Sequence, residues 1–177
     1  MTSISQHTIP NTIYDADVLI DLAQQMLHLP KHGKSYPISS GKNGIGEQEN
    51  SGKTPRGWHM VAEKFGHHAP IYSVFVARQA TGEIYNDDLA QNHPERDWIL
   101  SRILWLQGLE QGFNAGEGCD TKQRYIYLHG TPDTAAMGTP LSHGCIRMRN
   151  HDIVELFDLI DEDASVYLSE QEIHFTT

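Results

Sequence analysis

Two cysteines in 177 residues are too few for a disulfide framework, so the chain must bury a core of its own, and at this length it can do so as one domain. Cys119 and Cys145 both read as reduced thiols. Cations are scarce: 13 Lys and Arg against 23 Asp and Glu leave a net charge of −10. That balance disfavours broad attraction to nucleic acid or to an anionic membrane surface, so any anionic ligand needs a local cationic clamp. The first thirty residues hold no lysine or arginine and no aliphatic run longer than Val18-Leu19-Ile20, so both parts of a secretory signal are missing there. No later segment approaches the roughly 20 apolar residues that cross a bilayer. These absences point to a cytoplasmic protein with no nucleic-acid and no membrane partner. Internal repeats, low-complexity tails and Pro/Ser-rich linkers are also lacking, which makes residues 1–177 a single unit.

What is present is mostly β-forming. Val18, Ile20 and Leu22 alternate as in a strand, and Gln24-Gln25 can turn into a second run at 26–29, so 16–30 is expected to form a hairpin. The stretch 39–57, "SSGKNGIGEQENSGKTPRG", is rich in glycine, serine and asparagine and reads as an extended loop. "APIYSVFVA" at 69–77 reads as a buried strand followed by a turn at Thr81-Gly82. In 95–109, "ERDWILSRILWLQGL", Trp98, Ile99, Arg102, Ile103 and Leu106 recur at helical spacing, which predicts a helix, or a helix and a short strand, with Trp98 and Trp105 in the core. "RYIYLHG" at 124–130 is a strand ending at a glycine. "NHDIVELFDLI" is a helix that Asn150 or Asp152 can cap, and "SVYL" is a closing strand. The sum is a mainly β domain with two or three helices.

The chemistry gathers in "LSHGCIRMRN", residues 141–150. A nucleophilic cysteine needs thiolate character, which a nearby imidazole, oriented N–H groups or a cation can confer. Cys145 has candidates for all three. His129 precedes it by 16 residues across a turn-rich connection, although by spacing alone either His129 or His143 can face the thiol. Gly144 leaves room for a carbonyl to approach the N–H groups of 144 and 145, as an oxyanion hole requires. Arg147, two positions on, shares a face with the cysteine if the chain is extended, and its planar fork suits a substrate carboxylate. Plainer readings compete: a lone cysteine is usually a small buried hydrophobe, and His129, His143 and Cys145 are three of the ligands a zinc ion takes. Cys119, beside two carboxylates in "EGCD", lacks a cationic neighbour and reads as non-catalytic.

"HGTPDTAAMGTPLSHGCIRM", with a His-Gly pair followed after a short loop by Ser-His-Gly-Cys, a hydrophobic residue and Arg, resembles the signature of the L,D-transpeptidase catalytic domain, the YkuD-type family. "YPISSG", "KTPRGWHM" and "SRILWLQGL" extend the resemblance over about residues 16–168, while Trp58-His59 departs from the smaller residue and aromatic more usual in the family. The resemblance implies a β-sandwich-like fold needing no cofactor and no metal. It also implies Cys145 as the nucleophile on a peptidoglycan tetrapeptide or muropeptide, at the bond between the diamino acid (diaminopimelate) and the terminal D-alanine. His129 would be its base, and the Gly130 carbonyl would orient the imidazole. Ser142, His143 and Gly144 would shape the loop and oxyanion hole, and Arg147 would hold substrate. With no signal in view, the expectation is an L,D-carboxypeptidase of muropeptide recycling. The alternatives are a transpeptidase forming 3-3 crosslinks and, from another class, an inactive muropeptide-binding or metal-binding relative. Carbapenems acylate many members, so an adduct on Cys145 is also expected.

Overall fold

A computed structural model describes residues 8–176. After a 3-10 turn at Ile13–Asp15 come β1 (Val18–Asp21), β2 (Met26–Leu29), β3 (Lys34–Pro37), β4 (Gly57–Phe65), β5 (Ser73–Val76) and β6 (Gln79–Ile84). Then follow α1 (Asp87–Asn92), β7 (Ile99–Gly108), β8 (Tyr127–Gly130), β9 (Ile146–Met148), α2 (Asn150–Leu159) and β10 (Ser165–Ser169). The fold is mainly β with two α-helices, and no described helix is long and apolar enough to cross a membrane.

All ten strands join one curled sheet in the order β3-β2-β1-β10-β4-β7-β5-β6, and β8 leaves this path by pairing with β7 and carrying β9 on its far side. Among the described strands, β1–β10 and β8–β9 are the parallel pairs. The expected hairpin at 16–30 forms as β1–β2, with Leu19 opposite His28. Between them Gln25 takes a positive φ of 57°, and its amide bonds the Leu22 carbonyl and the Ser40 hydroxyl, both at 2.8 Å. The main core draws on β1, β2, β7, β8, β9, β10 and α2, among them Val18, Ile20, Leu27, Leu104, Leu128, Ile146, Leu156 and Val166. The sheet therefore wraps its strands around one apolar interior, and α2 closes it.

Three expectations are corrected. Residues 99–108 form a strand, not a helix. Its burial is nearly continuous, and the register slips between Leu100 and Ile103, where Ser101 has φ 70°. A strand covered on both faces has no clean alternation, and one extra residue spaces the apolar positions by three and four, which imitates a helix. The β5–β6 turn lies at Ala77-Arg78, both with positive φ (48° and 65°), while Thr81 and Gly82 fall inside β6. A two-residue hairpin turn of matching twist needs left-handed backbone at both positions, which asparagine and glycine usually supply. Here Arg78 is held instead by stacking on Trp105 and Tyr125 (4.6 and 5.2 Å to the ring centres) and by donating to the Tyr127 hydroxyl at 2.9 Å. Finally, neither Asn150 nor Asp152 caps α2, because the N-cap position is Arg149, without a capping side chain. Asn150 is fully buried instead, bonding Ser101 Oγ (2.6 Å), the Thr131 carbonyl (2.7 Å) and Asp133 (3.0 Å). It ties the end of β8 to β7.

Candidate active site

β8 and β9 run parallel in register, with Leu128 beside Ile146, His129 beside Arg147 and Gly130 beside Met148. Side chains alternate along a strand, so Tyr127 and His129 leave one face of β8, and Cys145 and Arg147 leave the same face of the neighbouring chain. Cys145 stands at a bend one step before β9, and its sulfur meets the Tyr127 N–H of β8 at 3.3 Å. Leu128 and Ile146, on the other face, are fully buried in the main core and hold the two strands to it.

His129 is 2 % exposed, and its Nδ1 donates to the Gly130 carbonyl at 2.7 Å. A carbonyl only accepts, so this bond puts the proton of the neutral ring on Nδ1 and leaves the Nε2 lone pair free. Arg102 Nε is the one buried side-chain nitrogen or oxygen among the described residues with no partner. Nε2 of His129 has no partner either, so its remaining exposure opens on solvent. Burial pulls the imidazole pKa below its ordinary 6.5, against the Gly130 bond and Asp97, which raise it. A side chain at Gly130 would force its neighbours to shift: a Cβ there would stand 2.5 Å from the Leu100 carbonyl oxygen and 2.7 Å from Asn150 Oδ1.

The loop before β9 is pinned from the glycine-rich stretch. Ser142 N donates to Ser40 O at 2.8 Å, and Arg147 N and Ser39 N exchange bonds with each other's carbonyls at 2.9 Å. Thr54 Oγ1 donates to the Gly144 carbonyl and accepts from Gly41 N, both at 2.8 Å. Ser142 Oγ donates to the Cys145 carbonyl and accepts from Gly144 N at 3.1 Å. Gly144, at φ 126°, occupies backbone space that side chains disfavour.

The structure departs from expectation at the thiol itself. Cys145 Sγ accepts from Tyr127 N and donates to the Tyr125 carbonyl, both at 3.3 Å, and not to an imidazole. Burial pushes its pKa up to about 11; Asp97 adds to the rise, while the Tyr127 N–H, Arg147 and Arg124 oppose it. Both shifts favour a neutral thiol and a neutral imidazole over an ion pair. The Gly144 N–H, expected in an oxyanion hole, is engaged by Ser142 Oγ. His143 turns outward to Asp97 at 3.4 Å, and Arg147 bonds the same carboxylate at 3.0 Å and the Leu141 carbonyl at 3.4 Å. Among the described residues no group of three or more His, Cys, Asp or Glu is arranged to hold a metal ion, so the zinc trio is not assembled. Trp105 is only partly buried and stacks on Tyr125 beside the thiol (centroids 5.8 Å), whereas Trp98 is core at 8 % exposure. Cys119 Sγ sits far along the chain on the carbonyls of Ala115 and Gly116. Asp97, Tyr125, Tyr127, Thr54 and Arg124 were not singled out from the sequence: each acts through a contact made by folding, and none stands in a spacing that announces it.

The fold thus sets a thiol beside β9, an imidazole of fixed tautomer on the neighbouring β8 and a glycine-shaped loop within the stretch His-Gly…Ser-His-Gly-Cys. The L,D-transpeptidase catalytic-domain model matches residues 15–168, and the chain belongs to that family. It is 39 % identical over 54 residues to the probable L,D-transpeptidase ErfK/SrfK of Escherichia coli K12, a segment that is 30 % of this chain and 17 % of that protein. Among solved structures, the L,D-transpeptidase of Xylanimonas cellulosilytica (residues 123–326) superposes with a TM-score of 0.51 at 21 % identity, over 86 % of this chain and 59 % of that one. An L,D-transpeptidase of Mycobacterium smegmatis superposes with a TM-score of 0.51 at 17 % identity, over 87 % and 59 %. These two likenesses bear on the fold alone.

Proposed function

We propose that the protein is a cysteine acyl-transfer enzyme acting on peptidoglycan stem tetrapeptides, and that its main outcome is hydrolysis. Cys145 attacks the carbonyl of the diamino acid, diaminopimelate. His129 Nε2 takes the thiol proton and then delivers it to the leaving amine of D-alanine; water releases the tripeptide. One observation carries the reading. The bond from His129 Nδ1 to the Gly130 carbonyl leaves a basic nitrogen open on the face from which Cys145 projects. Because the thiol rests protonated on Tyr125, it must rotate off that carbonyl and lose its proton to His129 as the substrate carbonyl arrives. Deprotonation is thus coupled to attack. The oxyanion falls to the Cys145 N–H, since that of Gly144 is engaged by Ser142.

The likeness to the probable L,D-transpeptidase ErfK/SrfK favours a second reading, in which the amine of a neighbouring stem replaces water and a 3-3 crosslink forms. The hydrolytic reading goes with a cytoplasmic place in muropeptide recycling, and the crosslinking one with a place outside the membrane. Purified protein incubated with a tetrapeptide ending in diaminopimelate and D-alanine should release D-alanine and accumulate tripeptide. Dimer formation at the expense of tripeptide would overturn the choice, and cell fractionation checks the location. A carbapenem should add its mass to Cys145 and leave Cys119 unmodified, which peptide mapping reads.

A further inference from the structure

Next to the loop that carries the thiol, a groove of about 290 Å3 runs between the 49–52 and 123–126 segments, with Gly52, Arg124, Tyr125, Ile126 and His143 among its walls. It adjoins the reactive loop directly. Tyr125 supplies the carbonyl on which Sγ rests, and a Cβ on Gly144 would lie 3.3 Å from Ile126 Cδ1. Arg124 is the cation of this groove. Its guanidinium is partly buried and donates to the Gly46 carbonyl (3.3 Å), Ser51 Oγ (3.4 Å) and the Lys53 carbonyl, all neutral acceptors.

Among the described residues Arg124 forms no ion pair. Glu47, the acid that acts on it most strongly, is spent on Arg56, with bonds to Nη2 at 2.7 Å and Nε at 3.2 Å. Glu49, at the rim, is exposed. Arg124 Nε has no partner among the described residues and is not a buried atom, so part of the guanidinium stays open where Arg124 lines the groove. The other guanidinium near the thiol, Arg147, is already held by Asp97. A half-buried cation without a counter-charge, in a protein of net charge −10, is a site prepared for an anion.

We infer that this groove is a carboxylate subsite, in which Arg124 binds a free carboxylate of the acyl donor and so sets the donor carbonyl against Cys145. The inference deepens the acyl-transfer reading and rests on it for the identity of the donor as a peptide. Two alkylating agents of equal size test the subsite without that reading: iodoacetate carries the carboxylate and iodoacetamide does not. The ratio of their rates at Cys145, with N-acetylcysteine as reference and peptide mapping to separate Cys145 from Cys119, should favour iodoacetate by about tenfold over the reference. Arg124→Gln should abolish that preference, and Arg124→Lys should keep part of it. Because each ratio is taken at a single thiol, a general change in loop packing cancels. Equal ratios at Cys145 of the wild-type chain and at N-acetylcysteine, or a preference that survives Arg124→Gln, would overturn the subsite. In parallel, amidating the peptide's free carboxylates should raise KM more than it lowers kcat in the wild type, and leave Arg124→Gln indifferent. If neither peptide is turned over, the acyl-transfer reading fails, while the alkylation ratio still decides the groove.

Discussion

Two histidines of this chain are buried in nearly the same way and end up with opposite prospects. His59 and His129 are 0 % and 2 % exposed, and each gives its Nδ1 proton to a backbone carbonyl, Gly57 at 3.0 Å and Gly130 at 2.7 Å. Both therefore hold the same tautomer, with the lone pair on Nε2. His59 Nε2 then accepts from Thr121 Oγ1 at 2.8 Å, whereas His129 Nε2 has no protein donor and opens beside Arg147 and Cys145. A hydroxyl in place of a vacant side separates a structural imidazole from one fit to move a proton. Burial depresses both pKa values, to about 4 for His59.

The largest expected effect is on turnover. His129→Gln should lower the release of D-alanine by roughly 10³-fold, within the range that a positioned base contributes, with little change in thermal midpoint. His59→Gln should do the reverse, losing about 1–3 kcal/mol of stability while each folded molecule keeps its activity. Equal losses of specific activity in the two variants would erase the distinction.

The pH dependence of the thiol sharpens the contrast next. With the Cys145 pKa near 11 and a neutral His129 beside it, alkylation by iodoacetamide should climb about tenfold per pH unit from 7 to 10. A plateau around pH 7 would show a thiolate–imidazolium pair at rest instead.

Stability should also follow the buried rings. A histidine whose pKa falls on folding binds more protons unfolded, so stability is full above pH 6.5 and is lost as pH drops. For His59 the loss runs from pH 6.5 to about 4 and amounts to about 3 kcal/mol, with His129 adding in the same direction. Urea midpoints measured at pH 7, 5.5 and 4.5 would check it; a flat profile would mean the rings stay accessible to protons when folded. The smallest effect is expected of Gly130→Ala, about 1–3 kcal/mol, as the new methyl presses on Leu100 O and Asn150 Oδ1. Circular dichroism melts would register it, together with a drop in turnover as the Nδ1 acceptor shifts.

How much of this was readable beforehand depends on the kind of signal. The short motif around Cys145 and His129 was legible, because a cysteine loop with glycine at a positive φ and a histidine followed by glycine are fixed by local backbone need. The hairpin at 16–30 and the strand ending at Gly130 were legible from β-prone runs closed by turn residues. Residues 99–108 were misread because a bulge in a doubly covered strand produces helical spacing. The Ala77-Arg78 turn was missed because its strained backbone is held by a stack on Trp105 and Tyr125, from elsewhere in the chain. Ionisation at the site was not legible for a related reason. A neighbouring imidazole says little until burial and the acceptor at Tyr125 are known, and both are products of the fold. Asp97 and Arg124 are ordinary charged residues in sequence, and only a count of who pairs with whom distinguishes the engaged one from the free one.

The β5–β6 hairpin meets the rest of the sheet through two residue pairs, Val74 with Leu100 and Phe75 with Ile99, while β4 grips β7 from Ile103 to Gly108 and β8 from Leu100 to Trp105. So short a seam lets the hairpin peel away with Arg78 while the reactive strands stay zipped. Amide deuterium uptake in 73–84 should then run well ahead of that in 103–108 and 127–130, marking the hairpin as the part of this fold that breathes.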